Sequence, residues 1–128
     1  MEHEDAVHSV MKKKLNRLIN YSKLMLASRS PSTIYDAYDL SEITIRKLKF
    51  QLELNSILLE EAENNGDKEK LEDERKELQD DLALELINDV ELLSTIAANL
   101  RLGDREDIAR QFEILRDIRQ SELDELKS

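Results

Sequence analysis

The stretch that most constrains this chain runs from Ser30 to Glu63. There Ile34, Tyr38, Ser41, Ile45, Leu48, Leu52, Asn55, Leu59 and Ala62 recur at spacings alternating between four and three, the mark of a heptad seam on one long helix. A second apolar row, Leu40, Ile43, Phe50, Leu54 and Ile57, is offset from the first by two residues, and two residues of helix turn a side chain by about 200°. A helix apolar on two nearly opposite sides needs a neighbour on each. The alternation of Leu48, Phe50, Leu52 and Leu54 also fits a strand, but no other segment supplies a strand to pair with it. An unpaired strand leaves its backbone donors and acceptors unsatisfied, so a helix is expected.

Few residues interrupt the helical pattern, since the chain holds two Gly and one Pro. Ser28-Arg29-Ser30-Pro31 ends a preceding helix, with Ser30 placed to cap the next and Pro31 in its first turn. Asn64-Asn65-Gly66-Asp67 reads as a turn in which Gly66 can go left-handed and Asp67 can cap the third helix. Gly103 reads as a helix-closing residue and Asp104 as the next N-cap. These breaks predict helices over about 4–27, 31–63, 68–102 and 105–126, with a break near Asp39 to Ser41 left open because Ser41 could also cap. The short turn makes the middle two antiparallel neighbours, each roughly 50 Å long. The expected fold is all-α, one domain over residues 1–128: an elongated up-down four-helix bundle built on a long antiparallel helical hairpin.

The inward stripes expected are Val7, Met11, Leu15, Leu18, Ser22 and Met25 on the first helix, and Leu71, Leu78, Leu82, Leu86, Val90, Leu93, Ala97 and Leu100 on the third. On the fourth they are Ile108, Phe112, Leu115, Ile118, Leu123 and Leu126. Ser41 and Asn55, polar within the long seam, read as devices that fix register.

Charge is unevenly placed. The net charge is −10, yet residues 1–30 hold six Lys/Arg against three Asp/Glu, so a basic first helix stands beside an acidic body. The run Lys12-Lys13-Lys14 with Arg17 lacks the interleaved aromatic or Gly residues of a nucleic-acid platform, and attraction to the acidic body explains it as well. Absence of Cys removes disulfides and thiolate chemistry. No apolar run approaches the roughly 18 residues of a membrane span, and Met1 to Asp5 is acidic rather than signal-like, so a cytoplasmic protein without a membrane or nucleic-acid partner is expected.

Catalytic groups are sparse. His3 and His8 are the only histidines and neither forms a Glu-x-x-His pair within a core, which leaves di-metal bundle chemistry and histidine-assisted nucleophiles without their base; no cofactor is expected. A free amino terminus followed by His3 could wrap Cu(II) or Ni(II) in a square of nitrogens. Glu60-x-x-Glu63 and Glu77-x-x-Asp80 resemble the paired acidic motif of all-helical nucleoside triphosphate pyrophosphohydrolases of the MazG type, and the resemblance implies that these four would hold magnesium. The turn near Asn65, however, leaves Glu77 and Asp80 roughly 9 to 14 Å farther along the hairpin than Glu60. Carboxylates on a solvated face are the expected outcome, with no metal site.

The function expected is therefore that of a non-enzymatic protein–protein interaction module: an adaptor, an assembly factor or a small chaperone-like subunit. Leu40, Ile43, Phe50, Leu54 and Ile57 are its candidate partner-binding residues, taking another protein or a second copy, unless the first helix covers them. The alternatives are the pyrophosphohydrolase and an acidic inhibitor that occupies a basic nucleic-acid-binding partner.

Overall fold

In the computed structural model, which describes residues 2–128 and the surroundings of side chains from Ala6 onward, 89% of the chain is helical. Four helices succeed one another: α1 (Glu2–Ala27), α2 (Ile34–Glu61), α3 (Asn65–Leu102) and α4 (Glu106–Lys127). No strand forms among the described residues, and α2 runs without a break near Asp39. The all-α helical bundle expected from the heptads is what forms.

The helix ends depart from expectation, each for a local reason. Thr33, not Ser30, caps α2: the Asp36 N–H donates to Thr33 Oγ1 at 3.1 Å, and the Ser32 hydroxyl donates to Asp36 Oδ2 at 2.6 Å. The first turn is thus closed from both sides, Pro31 stays outside it, and the bond from Ser32 holds the Asp36 carboxyl below its ordinary range. At the hairpin, Asn64 caps α3 by accepting from the Asp67 N–H at 2.8 Å, which draws Gly66 into the first helical turn. The left-handed residue is instead Asp104, at φ 59°. Around it the Arg105 N–H donates to the Leu100 carbonyl at 2.8 Å and the Asp104 N–H to the Arg101 carbonyl at 3.1 Å, the two bonds of a Schellman closure. Asp104 therefore ends α3 rather than capping α4, which starts with no side-chain cap.

Packing keeps to chain order: α1 lies on α2, α2 on α3 and α3 on α4, while the backbone of α1 approaches neither α3 nor α4. Side chains join α2 to α4. Phe112 stands edge-on to Tyr35 and Tyr38, with ring centroids 6.4 and 6.2 Å apart, and Lys49 pairs with Glu122 at 2.8 Å. Ile45 and Leu48 of α2, Leu78, Leu82 and Leu86 of α3, and Leu123 of α4 form one shared core. The bundle therefore closes as three helices, α2 to α4, with α1 on the outer flank of α2. The hairpin arms are unequal as well, 28 residues in α2 against 38 in α3, whose length of about 57 Å spans the molecule.

The inward stripes of α1 and α4 are rotated from expectation, whereas that of α3 holds at Leu78, Leu82, Leu86, Leu93 and Ala97 and gains one polar member. α1 turns His8, Lys12, Leu15, Ile19, Ser22 and Leu26 toward α2, and in this phase Lys12 pairs with Glu61 at 2.7 Å. On α3 the seam position falls on Asp89, which is 0% exposed, rather than on Val90. On α4 the inward pull on Arg119 leaves Leu115 and Ile118 exposed. The α2 seam stands as expected, with Ser41, Ile45, Leu48 and Asn55 all buried. Among the described residues no helix is long and apolar enough to cross a membrane.

Candidate interaction surface and a buried polar cluster

The second row of α2 is buried only in part by the chain itself. Ile43 and Ile57 are buried, and Leu40, Phe50 and Leu54 are half-buried. Leu54 lines a small hollow with Asn16, Ile19, Asn20 and Lys23 of α1, and one turn beyond Ile57 the carboxylates of Glu60 and Glu61 lie 3.5 and 3.7 Å from His8. Ile57 sits between these two contacts. α1, at 26 residues nearly as long as α2, lies along this side of α2 at Leu54 and beside Ile57, while Leu40, Phe50 and Leu54 keep part of their surface exposed.

What α1 covers on one side it leaves bare on the other. A helix with a single helical neighbour exposes its far face, and on α1 that face is apolar at Val7, Val10, Tyr21 and Leu24, the last three between 64% and 68% exposed. Val7, Val10, Lys14, Arg17, Tyr21 and Leu24 recur at spacings of three and four, and all six are exposed. α1 thus carries two heptad seams: one occupied by α2, the other with no occupant among the described residues. Ile114, Leu115 and Ile118 make a shorter apolar strip on α4.

The acidic pairs do not converge. The Asn55 side-chain amide donates to the Leu71 carbonyl at 2.9 Å and so fixes the hairpin register, which leaves Glu77 and Asp80 roughly 16 to 21 Å beyond Glu60. Glu60 faces His8 instead. Among the described residues no three His, Asp or Glu gather where they could hold a metal ion. The amino-terminal copper pattern begins at Met1 and lies outside the described residues.

Between α2, α3 and α4 lies a polar cluster that no motif announced. Arg119 of α4 grips Glu42 of α2 with two bonds, Nε to Oε2 at 3.0 Å and Nη2 to Oε1 at 2.6 Å, and donates to Glu122 through Nη1 at 2.8 Å. Its Nε also lies 3.3 Å from Oδ2 of the buried Asp89. Burial, reinforced by the neighbouring Glu42, pushes the Asp89 carboxyl up to about 8, so at neutral pH it carries a proton. Burial alone would raise Glu42 too, but the Arg119 bonds and Asp89 outweigh it and hold Glu42 below its ordinary value. Neither Asp89 oxygen is in a well-formed hydrogen bond, although the unpartnered Ser41 hydroxyl and Arg119 Nε lie nearby and favour the ionised form; protonated, Asp89 can donate to the Glu42 carboxylate. Burial and the nearby Glu42 also raise Tyr38 to about 12, which keeps the phenol neutral. Chemically the cluster is one shared proton and one guanidinium locking three helices together. Asp89 could have been found from the sequence, since it stands three residues after Leu86 and four before Leu93, on the seam.

The second polar lock, at Asn55, is simpler. Arg75 reaches across from α3 to Ser56 Oγ at 2.7 Å and to Asn55 Oδ1 at 3.5 Å, so the buried amide is satisfied by groups of one register only.

Comparison with protein-family models, with curated proteins and with solved structures finds no match for this chain.

Proposed function

We propose that this chain is a non-enzymatic protein-interaction module, an adaptor or assembly subunit that takes its partner on the outer face of α1. The observation that supports it is the second, unoccupied heptad seam of that helix, where Val10, Tyr21 and Leu24 stand largely in solvent. Scattered exposed apolar residues are ordinary, but a row of them at coiled-coil spacing on a helix held from one side has the form of half an interface. The buried polar groups favour the same reading: they join helix to helix inside the core and present no open nucleophile, base or anion hole to a substrate.

Photo-crosslinking tests it. A crosslinking residue at Tyr21 or Leu24 should yield one and the same adduct in cells that make the protein, and Tyr21→Glu with Leu24→Glu should abolish a complex rebuilt from the purified components while the chain stays helical. Adducts from Glu53 on the exposed side of α2 that match those from Leu24 would mean non-specific contact and would sink the proposal.

A further inference from the structure

The middle of the open seam on α1 is not apolar. Between Val7 and Val10 at one end and Tyr21 and Leu24 at the other stand Lys14 and Arg17, both exposed. From Ala6 to Tyr35 the sequence contains no acidic residue, and among the described residues Lys12 is the only cation of α1 seen to pair with a carboxylate, that of Glu61. Two cations in adjacent layers of a seam must be answered by whatever packs there.

A second copy answers them badly. Antiparallel pairing of two α1 seams sets Val7 opposite Leu24, Val10 opposite Tyr21 and Lys14 opposite Arg17, while parallel pairing sets Lys14 on Lys14 and Arg17 on Arg17. Either arrangement brings four positive charges into neighbouring layers with no anion between them, and like charges brought together in a partly dry contact are repelled. A membrane surface fits no better, because an interfacial helix keeps its cations along the edge of the apolar face, in reach of the headgroups. Here Lys14 and Arg17 occupy the centre line of the face, and the remainder of the molecule is strongly acidic.

Resting on the interaction reading above, the geometry points to a specific partner chemistry: an amphipathic helix of another protein with apolar residues at the two ends of a short heptad stretch and Glu or Asp in the two layers that meet Lys14 and Arg17. Such a helix replaces four repelling cations with two crossed ion pairs and leaves the apolar ends to supply contact area. The charges set register and choice of partner more than strength.

The test uses the full chain and two synthetic peptides of three heptads, identical except that one has Glu and the other Lys in the two central seam positions, with Leu in the flanking ones. Fluorescence anisotropy should show the Glu peptide binding about tenfold more tightly than the Lys peptide, the effect of two exposed ion pairs, and weakening as salt is added. Lys14→Glu with Arg17→Glu should reverse the preference; circular dichroism and the urea midpoint of that variant must match the parent, as expected for two solvated side chains. Equal affinity for the two peptides, lost on Leu24→Glu, would leave the docking face standing and overturn the acidic partner. Binding to neither peptide overturns both proposals. Co-sedimentation with phosphatidylcholine–phosphatidylglycerol vesicles, or a Leu24-dependent dimer in sedimentation velocity, without binding of the Glu peptide, would show that a membrane or a second copy is the occupant and overturn it likewise.

Discussion

Asp89 is the residue at which charge and burial compete most sharply. Its carboxyl moves from an ordinary value of 3.8 to about 8 in the folded chain, so between those values the unfolded chain has lost the proton that the folded chain keeps. Unfolding then releases a proton, and the stability that Asp89 contributes, complete below its unfolded value, drains away as pH rises toward 8. Glu42 works in the opposite sense, since its lowered value makes its contribution present above the ordinary carboxylate range and lost in acid. Asp89→Asn keeps a donor beside Glu42 and removes the titration. The variant should be more stable than the parent at pH 8.5 by about 1 to 2 kcal/mol, with a flatter dependence of the urea midpoint between pH 6 and 8.5. An unchanged slope would place the proton elsewhere. Arg119 is the other half of the lock. Arg119→Met leaves the largely buried Glu42 carboxylate without its cation and should cost about 3 to 5 kcal/mol at pH 7, measured by urea unfolding, because an uncompensated buried charge destabilises by far more than the intact pair stabilises. Introducing Arg119→Met into the Asp89→Asn background should cost about as much at pH 7, where Asp89 is already neutral, and less than in the parent at pH 8.5, where Asp89 has begun to ionise.

At the level of the helices, the long seam of α2 was legible because its apolar and polar members keep one heptad phase from Ser41 to Asn55, and the second apolar row lies on nearly the opposite side and does not blur it. The α1 phase was not. Leu18 stands beside Ile19 and Met25 beside Leu26, so two stripes one residue apart are equally apolar, and the contacts that go with the observed one, His8 and Lys12 on Glu60 and Glu61, lie on another helix where local spacing cannot show them. Pattern reading assigns polar residues outward by default, which is why Asp89 and Arg119 escaped it and Leu115 and Ile118 were placed inside. The Phe50 row was visible as a second apolar side, but what covers it depends on where α1 lies, and no local spacing encodes that. Ser41 and Asn55 were legible as register devices by their position, and the structure supplies partners for Asn55. Asn55→Ala removes the amide bond to Leu71, opens a small cavity and leaves Arg75 with Ser56 alone, so a loss of about 1 to 3 kcal/mol is expected in urea unfolding. A drop in the unfolding slope as well as the midpoint would mean that the hairpin has begun to sample other registers.

Across the whole molecule, the chain divides into a closed unit of α2, α3 and α4 and a helix attached to its side. The closed unit shares one apolar core and is tied by Glu42, Asp89 and Arg119, whereas α1 is in backbone contact with α2 alone. Regions with few tertiary neighbours open at lower free energy than the core they rest on, so α1 should undock while the other three helices remain folded. Native-state hydrogen exchange would show this as amides of α1 exchanging through an opening of lower free energy than global unfolding, with α2 and α3 near Leu86 and Ile45 exchanging only through the latter. Ile57 separates the two events. It lies between Leu54 and Glu61, both in contact with α1, and outside the core shared by α2, α3 and α4. Ile57→Ala should therefore weaken the docking of α1 by about 2 to 4 kcal/mol, the usual cost of emptying a buried aliphatic site, and speed exchange throughout α1. Protection near Leu86 should fall far less, because the closed unit loses only the contribution of a docked neighbour. If exchange instead accelerates equally in all four helices, α1 belongs to a single cooperative unit, and its outer seam would be presented only by the fully folded chain.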